Sequence, residues 1–103
     1  MTKRFAHIRQ LVALRKQLQQ SPVLADELMH TLIVESLPPA YLHLYRWIVE
    51  CDHSITSNMV MLAWNWQANM ASTALNELWQ FGLLKREEYR DEHGKGYQYT
   101  IAD

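Results

Sequence analysis

The sequence predicts one mainly helical domain with a small β-hairpin at its C-terminal end. Three observations carry this. Apolar residues recur at spacings of three and four as far as Leu78. A glycine, Gly82, then ends that pattern, and beyond it Tyr97, Tyr99 and Ile101 alternate with Gln98 and Thr100. The chain has 103 residues, enough for one sizeable core and not two.

Residues 3–20 form the first expected helix, with Phe5, Ile8, Leu11, Val12 and Leu18 as its apolar stripe. Ser21-Pro22 punctuates the chain. Ser21 suits an N-cap and Pro22 the first helical position, while Asp26 and Glu27 follow near the positive end of the new dipole. The second helix carries Leu24, Leu28, Leu32 and Ile33 inward and ends near Ser36, because Pro38 disfavours helix at Leu37. The third begins at Pro39 or Ala40. Its apolar positions, Tyr41, Leu44, Tyr45, Trp47, Ile48 and Cys51, cover most of the cylinder and predict the most buried helix. Thr56 or Ser57 caps a fourth helix at about 57–64, burying Val60, Met61 and Trp64. Asn65-Trp66-Gln67 connects it to a fifth at about 68–81, with Ala71, Ala74, Leu75 and Leu78 inward and Gly82 at the left-handed cap. The polar stretch Arg90–Gly96 joins two strands. Trp47, Trp64 and Trp79 are expected in the core and Trp66 half exposed.

Composition excludes several classes. With 49% hydrophobic residues, 3 Gly and 3 Pro, the chain is neither low-complexity nor disordered. A single Cys excludes a disulfide framework. No apolar run approaches the ~18 residues of a membrane span. Arg9, Arg15 and Lys16 interrupt any leader-like stretch, so the expected location is cytoplasmic. The net charge of −1 hides a basic N-terminal segment, in which Lys3, Arg4, Arg9, Arg15 and Lys16 stand without an acid.

Catalytic chemistry is thin. There is no nucleophile motif, no phosphate-cradling glycine loop and no HExxH. Asp26-Glu27 and Glu87-Glu88 are sequence neighbours, which regular elements point apart. His43 and Cys51 would lie roughly 12 Å apart along one helix, too far to share an ion. No enzyme, cofactor or metal site is expected.

The order from residue 55 onward is more specific. Ile55 precedes a short helix with Val60 and Met61. Trp64 and Trp66 straddle a turn, Ala71, Leu75 and Leu78 line a second helix, and Gly82-Leu83-Leu84-Lys85-Arg86 enters the hairpin. This stretch, 55–101, resembles the winged helix-turn-helix reader domain of MarR-type and related bacterial regulators. It departs from that family in bulky Met59, Met61, Trp64 and Trp66, and in a wing tip that holds Asp91 and Glu92.

The resemblance divides one 1–103 domain into N-terminal helices (1–54), a helix-turn-helix (55–82) and a wing (83–103). It implies sequence-dependent binding of double-stranded DNA by a small transcriptional regulator. The fifth helix would then read bases through Gln67, Asn69, Ser72, Thr73 and Asn76, since Asn and Gln pair bidentately with adenine and Ser and Thr reach bases or phosphates. No Lys or Arg lies between Ser54 and Leu84, so phosphate contacts fall to Lys85, Arg86, Arg90 and Lys95. The chain ends two residues after Ile101, without the family's C-terminal dimerisation helices. A homodimer is therefore expected through the first helix, by Phe5, Ile8, Leu11, Val12 and Leu18. The competing expectation is a winged-helix protein-docking module without DNA affinity.

Overall fold

The computed structural model describes residues 5–17, 23–92 and 94–102. Five helices precede two strands: α1 (Ala6–Gln17), α2 (Val23–Glu35), α3 (Pro39–Glu50), α4 (Ser57–Trp64), α5 (Ala68–Gln80), β1 (Leu84–Asp91) and β2 (Gly94–Ile101). The protein is mainly helical with one small antiparallel hairpin. It comprises two compact units, Met1–His43 and Leu44–Asp103, whose boundary falls inside α3.

In the first unit α1 and α2 pack together. Arg15 grips Asp26 with two parallel bonds, Nε to Oδ1 at 2.6 Å and Nη2 to Oδ2 at 3.1 Å. This fork geometry fixes the register of the two helices better than a single charge contact would. Phe5, Ile8 and Val12 are buried, and the Phe5 ring stacks on Tyr41 at 5.6 Å. On α2 the buried residues are Met29 and Ile33, whereas Leu28 and Leu32 are 58% and 39% exposed. The expected inward stripe thus turns by about one residue, and Met29 takes the place given to Leu28. The Ser21-Pro22 cap, Leu18 and the side chain of Leu24 lie outside the described residues.

In the second unit the core gathers Leu44, Ile48, Ile55, Val60, Leu75, Leu78 and Leu83, all at most 2% exposed. Thr56 caps α4, its Oγ1 accepting from the Met59 N–H at 3.3 Å. Asn65 ends α4 in the left-handed region at φ 56° and ψ 40°, which Asn tolerates better than most residues. Gly82, at φ +81°, ends α5. Leu83 N–H donates to Leu78 O and Gly82 N–H to Trp79 O, the paired bonds of a Schellman cap. Ile55 adds a single-residue bridge to β2, exchanging both backbone bonds with Tyr99.

Two expectations change here. The stretch Arg90–Gly96 is not a loop: Arg90 pairs with Lys95 and Asp91 with Gly94, leaving a two-residue connection. Gly94, the first residue of β2, has a positive φ of +119°, which glycine adopts without strain. Trp47, Trp64 and Trp79 are half-buried and not core. Trp64 packs edge-on against Trp47 and tilted against Trp66, each at 6.0 Å. Large indoles are seldom wholly covered in so small a unit.

Candidate functional site

Burial fixes which face of α5 is available. Ala71, Ala74, Leu75 and Leu78 point into the core. On the other side of the helix Asn69, Ser72 and Thr73 are exposed, and Gln67 is exposed at the N-cap, where its side chain makes no capping bond. Four of the five residues expected to read bases therefore lie at the surface. The fifth, Asn76, is half-buried, and its Oδ1 accepts a bond from Arg86 Nη1 at 3.1 Å.

The hairpin register fixes the rest. Arg86 faces Tyr99, Glu88 faces Tyr97, and Arg90 faces Lys95. Alternate residues share a face, so these six stand on one side of the ribbon. Lys85, Glu87 and Tyr89 stand on the other. Lys85 and Arg86, paired in the sequence reading, thus point to opposite faces of the ribbon, and Lys85 does not line the cleft with Ser72, Thr73 and Asn76. Gly96 sits opposite Tyr89, whose ring a Cβ there would meet at 3.2–3.3 Å. Glycine at that position lets the ring lie flat on the ribbon.

Arg86 is the best-positioned cation of the site. Its guanidinium carbon lies 3.6 Å from the Trp79 ring centre and 4.1 Å from that of Tyr97. Two aromatic faces hold the plane by cation–π attraction, and Asn76 fixes its rotation. Burial pushes the Tyr99 phenol above its ordinary pKa, and a hydrogen bond with Arg86 opposes that rise. Around this group lies a cleft of about 520 Å³. The α5 side supplies Ser72, Thr73 and Asn76, the hairpin supplies Arg86, Lys95 and Tyr97, and Ser57 contributes from the start of α4. No carboxylate lines it among the described residues. Acidic side chains outnumber basic ones in this unit, so the cleft departs locally from its surroundings.

At the ribbon's far end Arg90 and Lys95 are direct cross-strand partners, and both are exposed. Like charges in that position repel. Lys95 Nζ lies 3.6 Å from Glu88 Oε2, an exposed contact of small energetic weight. The side chain of Asp91 and residue His93 lie outside the described residues, while Glu92 is exposed.

The sequence reading missed Ser57, Tyr97 and Tyr99 as members of this cleft, and Trp79 as the ring that packs on its arginine. An aromatic on the last turn of α5 and another four residues from the strand end were legible signals, but only the fold shows that both rings pack on one arginine. The stripe expected to form a dimer is occupied by the chain itself. Phe5, Ile8 and Val12 are buried and Leu11 is half-buried, so these residues are not a free interface; Leu18 is outside the described residues. Cys51 is half-buried, and no group of three or more His, Cys, Asp or Glu among the described residues could hold a metal ion. No described helix is long and apolar enough to cross a membrane. The chain matches no family model, no curated protein and no solved structure.

Proposed function

We propose that the Leu44–Asp103 unit is a winged helix that binds double-stranded DNA as a small transcriptional regulator. The observation that carries this reading is the cleft shared by α5 and the hairpin, which no carboxylate lines among the described residues, with Asn69, Ser72 and Thr73 exposed on the same helix. The order of elements agrees: a helix, the Ile55 bridge, two helices and a hairpin whose second strand receives the bridge. In this reading α5 enters the major groove, Asn69, Ser72 and Thr73 meet base edges, and Arg90 and Lys95 meet the backbone beside it. Short uncharged side chains supply discrimination, and the hairpin cations supply sequence-independent affinity.

A second reading has its own observation. Leu62 is 87% exposed and Met59 40% exposed on α4, an apolar surface that reading DNA does not use. A module that docks on protein would place such residues outward. Selection of bound duplexes from a random pool at moderate salt separates the two. An enriched motif supports DNA reading, and recovery of the pool without enrichment overturns sequence-dependent binding.

A further inference from the structure

We infer that Arg86 is the centre of a preformed phosphate seat, completed by the hydroxyls of Ser72 and Thr73 and the ammonium of Lys95. The ligand class is a phosphate group, carried either by a nucleic-acid backbone or by a small phosphorylated molecule. The inference deepens the DNA reading, and depends on it only for the source of the phosphate.

Four features of the molecule support the seat. First, a half-buried arginine ordinarily pairs with a carboxylate, because a guanidinium removed from water needs a counter-charge. Among the described residues Arg86 has none; its partners are two aromatic rings, the Asn76 amide and the Tyr99 phenol. Second, Trp79 and Tyr97 restrict the guanidinium plane at 3.6 and 4.1 Å, so the entropy cost of ordering a long side chain is met before any ligand arrives. Third, Asn76 and Tyr99 use two N–H groups of the five, which leaves donors for the forked geometry that phosphate oxygens accept. Fourth, Ser72, Thr73 and Lys95 line the same cleft and can donate to an oxyanion; no described carboxylate is in that lining, and the nearest to Lys95, Glu88 at 3.6 Å, is an exposed contact that a phosphate would displace. Asn76 acts in this scheme as a positioning residue. It touches Arg86 and sets its rotation, and is not itself required to read a base.

The seat can be tested on the whole chain by titration with inorganic phosphate at constant ionic strength, against chloride as control. The readouts are the Arg86 Nε–H resonance and the amides of Ser72 and Thr73. Saturable shifts at these three sites are expected. Arg86→Lys keeps the charge but loses the fork, and should bind phosphate about tenfold more weakly, the loss of one charge-assisted hydrogen bond. Asn76→Ala should weaken binding as well and broaden the Arg86 Nε–H signal in the free protein. Shifts no larger than chloride produces, or an unchanged affinity in Arg86→Lys, would overturn the seat. A duplex titration assigns the source. Movement of Arg86 Nε–H in the same direction as with phosphate supports a backbone phosphodiester. A duplex that binds and leaves Arg86 unmoved, where inorganic phosphate moves it, spares the DNA reading and assigns the seat to a small phosphorylated molecule. Phosphate seated at Arg86 in a chain that binds no duplex supports the seat, assigns it to a small phosphorylated molecule, and overturns the DNA reading.

Discussion

Ile55 and Tyr99 exchange both backbone hydrogen bonds, at 2.9 Å from Ile55 N–H to Tyr99 O and 2.8 Å in the reverse direction. This one pair ties the residue before the α4 cap to the second strand of the hairpin. Tyr99 in turn faces Arg86 across the ribbon, and Arg86 bonds Asn76 on α5. The start of α4, the hairpin and α5 are thus linked through three named contacts, and the cleft lies among them.

The Ile55 side chain is fully buried beside that bridge. Ile55→Ala should destabilise the second unit by about 2–5 kcal/mol, through lost burial plus the cavity left behind. Urea unfolding followed by Trp fluorescence measures this, because Trp47, Trp64, Trp66 and Trp79 all belong to the unit. A loss below about 1 kcal/mol would mean that the site collapses freely and that the bridge does not anchor the hairpin.

Gly82 tests the end of α5. Its φ of +81° is unfavourable for a side chain, although nothing lies within 4 Å of the place a Cβ would occupy. The cost of Gly82→Ala is therefore conformational and not steric, and should be about 1 kcal/mol. Gly82→Asn should lose less, since Asn visits the left-handed region more readily. Equal losses in the two variants would point to a steric cause that the open surroundings do not contain. Chemical denaturation of the pair decides it.

Local rules account for the parts legible in the sequence. Thr56 and Gly82 act through their own backbone neighbours, so the α4 start and the α5 end follow from residue type alone. The mainly helical class with a hairpin followed from apolar spacing. What depends on long-range register was not legible. The Arg90–Gly96 stretch looks like a loop because its residues are polar and contain two glycines, yet pairing with Lys95 and Gly94 extends both strands through it. Leu28 and Met29 are adjacent and both apolar, and only packing against a neighbour selects which turns inward. The exposed face of α5 was visible as the complement of Ala71, Leu75 and Leu78. The aromatic bracket around Arg86 joins residues 79, 86 and 97 and needed the fold.

Acid should loosen the first unit, for two separate reasons. Arg15 holds the Asp26 carboxyl below its ordinary pKa, chiefly through their hydrogen bonds. That stabilisation is present above the unfolded value and is lost as pH falls through the folded one. Burial, then the Arg15 charge, lowers the His30 imidazole, whose Nδ1 lies 3.4 Å from Arg15 Nη1, while Asp26 works in the opposite direction. The unfolded chain then takes up the His30 proton first, so stability falls as pH drops from the ordinary histidine range, near 6.5, toward the lower folded value. His30→Gln should flatten the Tm-against-pH curve in that window and leave the Asp26 step at lower pH in place. An NMR titration midpoint for His30 at or above the ordinary value would contradict this account.

The last prediction concerns the two kinds of contact that the proposed DNA binding requires, which respond differently to salt. Asn69→Ala and Thr73→Ala remove short exposed side chains from α5 and should leave folding intact, since neither is part of the core. Each should cost about 1–3 kcal/mol at particular base pairs and nothing at others. Arg90→Ala and Lys95→Ala should weaken all duplexes alike, each lowering the salt slope by about 1. Lys95 already spends part of its charge on Glu88, so Glu88→Gln should strengthen binding to every duplex while leaving base preference unchanged. Binding measured over a series of salt concentrations, for the preferred site and a scrambled one, separates the two classes. A uniform loss in Asn69→Ala and Thr73→Ala would remove α5 from the groove. An unchanged slope in the Arg90→Ala, Lys95→Ala double variant would remove the hairpin tip from the backbone, because two exposed cations facing each other across a ribbon cannot contact phosphates without releasing counterions.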